Sequence, residues 1–339
     1  MNNAIHKLIG RASAGENLTQ DEMATAIDGI LRGDWSDAEI AMLLTALHHK
    51  GPTVDEIAGA ALAMRRHMTA IRTSREGVID TCGTGGDASG TFNISTAAAI
   101  VTAAAGVPVA KHGNRRATSR SGSADVLEAL GVNVNADVPR VEACLDRLGI
   151  CFCFAPLVHG AMKRVAEVRR QLGMPTIFNL LGPLTNPAAA PFQLLGVGRA
   201  ELRPLLAEAL RRLGVRRALV VRGDDGLDEI TLAGPTRATE IAGNTLTERT
   251  IEPADFGLVV ASLDCMKIDG PEPSAAMIRD ILAGRHGPPH DIVVANAAAA
   301  VWIAGRAESL TAGAKLATEA IDSGAANDLL RKLAEMSNN

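Results

Sequence analysis

Between Gly77 and Phe154 short apolar runs alternate with helical runs, and this alternation constrains the fold more than any other feature of the chain. GVIDT leads into a glycine loop and an alanine-rich helix that runs to Gly106. VPVA leads into a basic polar loop and the helix ADVLEAL, closed by Gly131. VNV, a helix from about Val138 and the strand ICFCF follow. Strands alternating with helices predict a mainly parallel sheet covered on both faces, because every crossover must lie back against the sheet. The rhythm breaks after Arg169 at GMPTIFNLLGPLTNPAAAP. It resumes with QLLGVG, the helix ELRPLLAEALRRLG and the strand RALVV, and two or three alanine-rich helices are expected after Pro271.

The segment before Ile71 has a different pattern. Thr19-Gln-Asp-Glu22, Ser36-Asp-Ala-Glu39 and Thr53-Val-Asp-Glu56 share the spacing at which a hydroxyl and a carboxylate reciprocally satisfy the free amides of a helix start. Behind the first two caps, Met23, Ile27, Ile30 and Leu31 fall on one helical face, as do Ile40, Leu43, Leu44 and Leu47. Gly33 and Gly51 stand where helices stop. The expected organisation is a small all-helical domain over residues 1–71 and a large α/β domain over residues 72–339. The chain is expected to return to the helical domain near residues 165–185.

Composition excludes several functions. Thirty-four Lys and Arg against 38 Asp and Glu leave a formal charge of −4, which provides no global field for a polyanion. Six Phe, two Trp and no Tyr cannot build a platform for stacked bases, so no nucleic-acid partner is expected. The apolar stretch from Ala97 to Ala110 is too short to span a bilayer, and the N-terminus has no signal-peptide pattern. The five scattered cysteines read as reduced thiols of a cytoplasmic protein.

Four loops carry chemistry. In Asp80-Thr-Cys-Gly-Thr-Gly-Gly-Asp87, three glycines in four positions after a strand let a backbone approach a phosphate. A dinucleotide fingerprint is rejected there, since Asp87 would face the pyrophosphate and no acid follows at the ribose distance. Thr91-Phe-Asn-Ile-Ser-Thr96 offers hydroxyls and free amides at a helix start. Lys111-His-Gly-Asn-Arg-Arg-Ala-Thr-Ser-Arg-Ser-Gly-Ser123 gathers four cations and four hydroxyls into a phosphate grip. Arg222-Gly-Asp-Asp-Gly-Leu-Asp-Glu229 places adjacent carboxylates, Asp228 and Glu229, where a hard cation such as Mg²⁺ binds. Each loop also has a plainer reading: a tight turn, an N-cap at Asn93 or Ser95, a solvated basic loop, a turn with solvated acids. Together they point to a Mg²⁺-bound phosphorylated or pyrophosphorylated small substrate.

GTGGD, FNIST, KHGNR, SGSADVLEALG, TIFNLLGPLTNP and DGLDEI occur in this order and at this spacing in the anthranilate phosphoribosyltransferase family, which the chain resembles over nearly its whole length. The resemblance implies a nucleoside-phosphorylase-like phosphoribosyltransferase fold and a homodimer formed through the helical parts. It implies phosphoribosyl pyrophosphate binding at Gly83, Gly86, Asp87, Thr91, Asn93, Ile94, Ser95 and Thr96. The same substrate is implied at Lys111, His112, Gly113, Asn114, Arg115, Arg116, Ala117, Thr118, Ser119 and Ser123. By the same resemblance Ser95, Asp228 and Glu229 are Mg²⁺ ligands, and Gly83, Asn114 and Arg169 meet anthranilate. Met174-Pro175, Arg222 and the run RRATSRSGS depart from the usual family pattern.

The implied reaction joins the anthranilate amine to ribose C1 and releases pyrophosphate. It calls for leaving-group stabilisation and positioning rather than a strong nucleophile, and no general base is assigned. A pyrimidine nucleoside phosphorylase is the nearest alternative, but it is typically longer, with a lysine in the glycine loop. A nucleic-acid-binding relative would show a basic surface and degraded loops.

Overall fold

The computed structural model describes residues 2–115 and 121–339. Four helices open the chain: α1 (Asn2–Ser13), α2 (Gln20–Arg32), α3 (Asp37–Lys50) and α4 (Val54–His67). All three expected capping boxes form. Glu22 N donates to Thr19 Oγ1 at 3.3 Å while Thr19 N donates to Glu22 Oε2 at 2.9 Å, and the Ser36/Glu39 and Thr53/Glu56 pairs repeat the exchange. Such caps typically contribute about 0.5–2 kcal/mol each. Glu56 does more than cap: fully buried, it also accepts from Leu18 N at 2.9 Å and pairs with Lys50 at 2.8 Å, tying three helices together.

The sheet domain follows as β1 (Ile79–Gly83), α5 (Ile94–Ala104), β2 (Val109–Gly113), α6 (Ser123–Ala129), α7 (Val138–Leu148) and β3 (Ile150–Phe154). Three short helices come next, α8 (Ala155–Val158), α9 (Lys163–Leu172) and α10 (Phe178–Leu181), then β4 (Phe192–Gly196), α11 (Leu202–Arg212) and β5 (Arg217–Gly223). β6 (Thr236–Ala242) and β7 (Thr245–Ile251) form a hairpin, and α12 (Pro271–Leu282), α13 (Pro288–Ile303), α14 (Leu310–Asp322) and α15 (Ala325–Asn338) close the chain. Strand order is β3-β2-β1-β4-β5-β6-β7, parallel through β5 and antiparallel beyond it.

Several elements differ from the sequence expectation. β1 and β2 lie two residues further along than GVIDT and VPVA, because the ladder carries on into Gly83 and Gly113. Val132–Val134 forms no strand; its valines pack into the core from a turn. Four helices, not two or three, follow Pro271. α13 is buried on every side from Ile292 to Val301, so it lacks the one-sided periodicity by which helices are counted.

Pleating divides the sheet between two cores. Leu194, Leu219 and Val221 face α5 and the C-terminal helices, while Leu195, Val220, Ala218 and Cys82 face the N-terminal helices and α11. Val165, Val168, Ile177, Phe178, Leu180, Leu181 and Leu184, from the stretch between β3 and β4, pack into this second core. All five cysteines are free thiols, four of them buried.

Candidate active site

β1 is the hinge of the topology. The chain crosses from β1 to β2 on one side, whereas its other neighbour, β4, is reached only after the excursion through α8, α9 and α10. Loops leaving the carboxyl ends of β1 and β4 therefore diverge and leave a crevice, the position where open α/β sheets bind ligands. The glycine loop lies there, in register with a second glycine pair: Gly83 pairs with Gly196, Thr84 N donates to Gly196 O at 2.9 Å, and Gly198 N donates to Thr84 Oγ1 at 3.2 Å. A side chain on Gly196 would stand 1.5 Å from Asp228 O, and one on Gly198 would stand 2.8 Å from Gly85 O. The absent side chains let three loops close on one another. Gly85 and Gly86 take the left-handed backbone that glycine adopts without strain (φ +67° and +84°).

The acidic loop after β5 docks onto this crevice. Gly85 N donates to Asp228 Oδ2 at 3.0 Å, Asp228 N donates to Asp87 Oδ2 at 3.4 Å, and Ser95 N at the start of α5 donates to Glu229 Oε1 at 3.1 Å. Asn296 of α13 clamps the loop from behind: it accepts from Ile230 N at 3.0 Å and donates to Ile230 O at 2.9 Å. Asp228 and Glu229 are therefore half-buried groups of the crevice wall and not freely solvated acids.

Lys111 is the buried cation of the site. Its Nζ donates to Thr81 O at 2.5 Å and to Ser95 Oγ at 3.2 Å. Burial lowers its pKa, and Asp80, Cys82, Glu229 and Asp228 act in the opposite direction. The carboxyls are shifted the other way. Burial, then Asp87 and Glu229, raise Asp228 well above the usual carboxylate range. Burial raises Glu229 to about 7, with Lys111 opposing. One ammonium thus faces more carboxyl charge than it neutralises.

That donor set fits Mg²⁺. It consists of hard oxygens, and a divalent cation would relieve the repulsion that raises Asp228. The protein oxygens alone do not form a closed cage, since Asp87, Asp228 and Glu229 do not bring three oxygens within 4.8 Å of one another. Mg²⁺ commonly completes such a shell with water and substrate phosphates.

The remaining sequence candidates divide. Thr91 Oγ1 meets Ser89 Oγ at 3.0 Å. Asn93 donates from Nδ2 to Ser121 O at 3.2 Å and does not cap α5 with its side chain. Ile94 and Thr96 point into the core and offer the crevice only backbone. His112 N donates to Asp80 Oδ1 at 3.1 Å, and Nδ1 donates to Gly182 O at 3.0 Å. Burial lowers His112 to about 3, so its ring is neutral. A side chain on Gly113 would stand 2.1 Å from Ser123 Oγ, which itself donates to Asn114 O at 3.3 Å. Arg115 turns away from the glycine loop to a double carboxylate grip, Asp125 at 3.0 Å and Glu128 at 2.6 Å. Arg116, Ala117, Thr118 and Ser119 lie outside the described residues.

Arg169 and Arg170 differ sharply. Arg170 is exposed and pairs with Glu167 at 2.5 Å. Arg169 is partly buried, donates to Asn179 Oδ1 at 3.2 Å and lies 5.7 Å from the Phe178 ring centroid, with no carboxylate partner among the described residues. Asp80 and Asn186 are buried groups of the site that lie within quoted motifs but were assigned no role from the sequence. Asn186 Nδ2 donates to Ala110 O at 2.8 Å behind Lys111. The available signal was a charge inside an otherwise apolar strand.

A helical bundle joined to an α/β sheet, with glycine and acidic loops meeting at the switch point, defines a glycosyl transferase. The helical bundle domain of the glycosyl transferase family matches residues 4–68 and its a/b domain matches residues 75–327. Within that class the chain belongs to the anthranilate phosphoribosyltransferase family. It is 49% identical to the anthranilate phosphoribosyltransferase of Rhodopirellula baltica over 96% of each chain. Its identity to that of Rhodospirillum rubrum is 51% over 98% of this chain and 95% of the relative. The crystal structure of the Thermus thermophilus enzyme superimposes with a TM-score of 0.92 at 44% identity, covering 98% of this chain and 99% of that one. The Saccharomyces cerevisiae enzyme in complex with PRPP and Mg gives 0.90 at 28% identity, covering 100% and 99%.

Proposed function

We propose that this chain transfers the 5-phosphoribosyl group of phosphoribosyl pyrophosphate to the amine of anthranilate, giving N-(5-phosphoribosyl)anthranilate and pyrophosphate in tryptophan biosynthesis. The observation that carries the reading is the junction of glycine loop and acidic loop, Gly85 N to Asp228 Oδ2 at 3.0 Å, beside the buried Lys111. Amides of the glycine loop, Gly86 and Asp87 foremost, and the hydroxyls of Thr91 and Ser95 would hold the pyrophosphate. Asp228, Glu229 and Ser95 would hold Mg²⁺, which when bound neutralises charge on the departing pyrophosphate. Lys111, held by Thr81 O and Ser95 Oγ, adds positive charge behind these groups.

C1–O cleavage builds positive charge on the ribose and negative charge on the leaving group. The protein therefore needs prepositioned donors where that charge develops. Arg169, whose planar fork matches a carboxylate, orients anthranilate from the helical side. The aromatic amine is already neutral and nucleophilic, so the chemistry requires no protein base.

The helical segment 1–71 together with residues 165–185 is read as the small domain, and the remainder as the phosphoribosyl-binding domain. We further read the chain as a cytoplasmic homodimer. An open groove of about 770 Å³ between α1 and α3, lined by alanines and the exposed Met42 but also by Thr45, His49 and Lys50, gives a second copy a partly apolar surface to cover. Among the described residues no helix is long and apolar enough to cross a membrane.

Product analysis tests the activity. Anthranilate and phosphoribosyl pyrophosphate should disappear one for one with pyrophosphate release. Phosphorolysis of a pyrimidine nucleoside in place of this reaction would instead select the nucleoside phosphorylase alternative.

A further inference from the structure

Far along the chain from the crevice loops, three ligand-type side chains converge at the N-terminus of α13. His286 lies in the loop before the helix, His290 in its first turn, and Asp322 ends α14. Each offers one ligand atom within 4.8 Å of the other two, the only such trio of His, Cys, Asp or Glu among the described residues. His286 Nε2 and Asp322 Oδ1 are 3.5 Å apart. That separation is close to the edge of a tetrahedral zinc site, about 3.3 Å for bonds of about 2.0–2.1 Å.

His290 supplies the second, independent observation. It is 3% exposed, and its Nδ1 lies 2.9 Å from Asp291 Oδ1. In a neutral ring the nitrogen facing a carboxylate carries the proton, which leaves the lone pair on Nε2. Nε2 is buried with no hydrogen-bond partner. A buried acceptor without a partner is destabilising, and a carboxylate–histidine pair is the arrangement that fixes the ring of a metal-binding histidine. A salt bridge between His286 and Asp322 would explain those two exposed groups but leaves Nε2 of His290 unexplained.

We propose that His286, His290 and Asp322 form a transition-metal site that takes Zn²⁺, with Asp291 orienting His290. Two imidazoles and one carboxylate suit a borderline ion and not Mg²⁺, and three protein ligands leave a fourth position for water. His286 and Asp322 are exposed, so rotation of their side chains can close the shell around the fixed His290. Bound metal would join the loop before α13 to the end of α14.

The test is calorimetric titration of the untagged full-length protein with Zn²⁺ in excess Mg²⁺. One equivalent should bind per chain. His286→Ala and Asp322→Ala should each weaken binding by tenfold or more, and Asp291→Asn by about 10- to 100-fold. These variants leave the buried His290 in place, so folding is preserved, which circular dichroism checks. Asp228→Asn with Glu229→Gln should bind Zn²⁺ as the parent does. Absence of saturable Zn²⁺ binding, or affinity unchanged in both His286→Ala and Asp322→Ala, overturns the site. Loss of Zn²⁺ confined to the Asp228/Glu229 double variant also overturns it, by placing the metal in the crevice.

Discussion

The carboxylate of Asp228 accepts a hydrogen bond from the main-chain amide of Gly85 at 3.0 Å, across 143 residues of sequence. This contact fastens the acidic loop to the glycine loop and places an acidic side chain beside amides suited to phosphate. The group proposed to hold the metal thus engages a donor that a phosphate could also use.

Replacing both acids tests their role. Asp228→Asn with Glu229→Gln retains an acceptor oxygen for Gly85 N and Ser95 N, so the loops should stay docked and Tm should change little. The Mg²⁺ concentration giving half-maximal rate should rise by about 10- to 100-fold, the range expected when support for a metal is lost. Magnesium titrations of initial rate measure this, and an unchanged Mg²⁺ requirement would remove both residues from the site.

Two glycines of the same crevice should separate stability from activity. A Cβ on Gly196 meets the Asp228 main chain at 1.5 Å, whereas one on Gly83 meets the end of the Asp228 side chain at 2.7 Å. Backbone cannot move aside without shifting the loop, so Gly196→Ala should cost about 1–3 kcal/mol in a denaturant melt. Gly83→Ala should leave the melt near that of the parent while lowering turnover, because only a side-chain tip must swing away.

Arg169→Ala should raise KM for anthranilate by about 10- to 150-fold, the equivalent of a charge-assisted pair of about 1.5–3 kcal/mol. KM for phosphoribosyl pyrophosphate should move far less. Arg170→Ala should affect neither, since Arg170 is exposed and already paired with Glu167. A larger anthranilate effect in the Arg170 variant would shift the assignment by one position.

His159 is buried and, with burial as the main cause, lowered to about 4. Its unfolded value is about 6.5, so between these values the unfolded chain binds the extra proton and folding loses stability as pH falls. His159→Asn removes that contribution, whereas the raised carboxyls of the crevice, which act with opposite sign, are common to both proteins. Between pH 6 and 4.5 the parent should therefore lose about 1.4 kcal/mol per pH unit more than the variant. Parallel stability profiles from chemical denaturation would refute this.

Much of the fold was legible because its signals are local. The capping boxes need only residues three apart, and Thr19, Ser36 and Thr53 cap as their spacing indicates. The glycine loop announces itself by three glycines after an apolar run. The hairpin was harder to see: its only local signal is the two-residue Gly243-Asn244 turn with φ +57° at Gly243, and β7 is mostly exposed and offers no apolar alternation. Other features depend on register. Nothing near Arg115 in sequence says that α6 will turn Asp125 and Glu128 toward it, and the basic loop reads as a free phosphate grip until that helix is in place. The Gly85–Asp228 contact likewise follows from pairing of β1 with β4 and β4 with β5, which fixes where loops far apart in sequence meet.

The most direct measurement is the decay of anthranilate fluorescence in an omission series. With anthranilate, phosphoribosyl pyrophosphate and Mg²⁺ together, the signal should fall at a rate proportional to enzyme. It should persist when either phosphoribosyl pyrophosphate or Mg²⁺ is withheld, and fall far more slowly with the Asp228/Glu229 double variant. Stable fluorescence in the complete mixture with folded protein would contradict the proposed reaction, and decay without phosphoribosyl pyrophosphate would contradict the assigned donor.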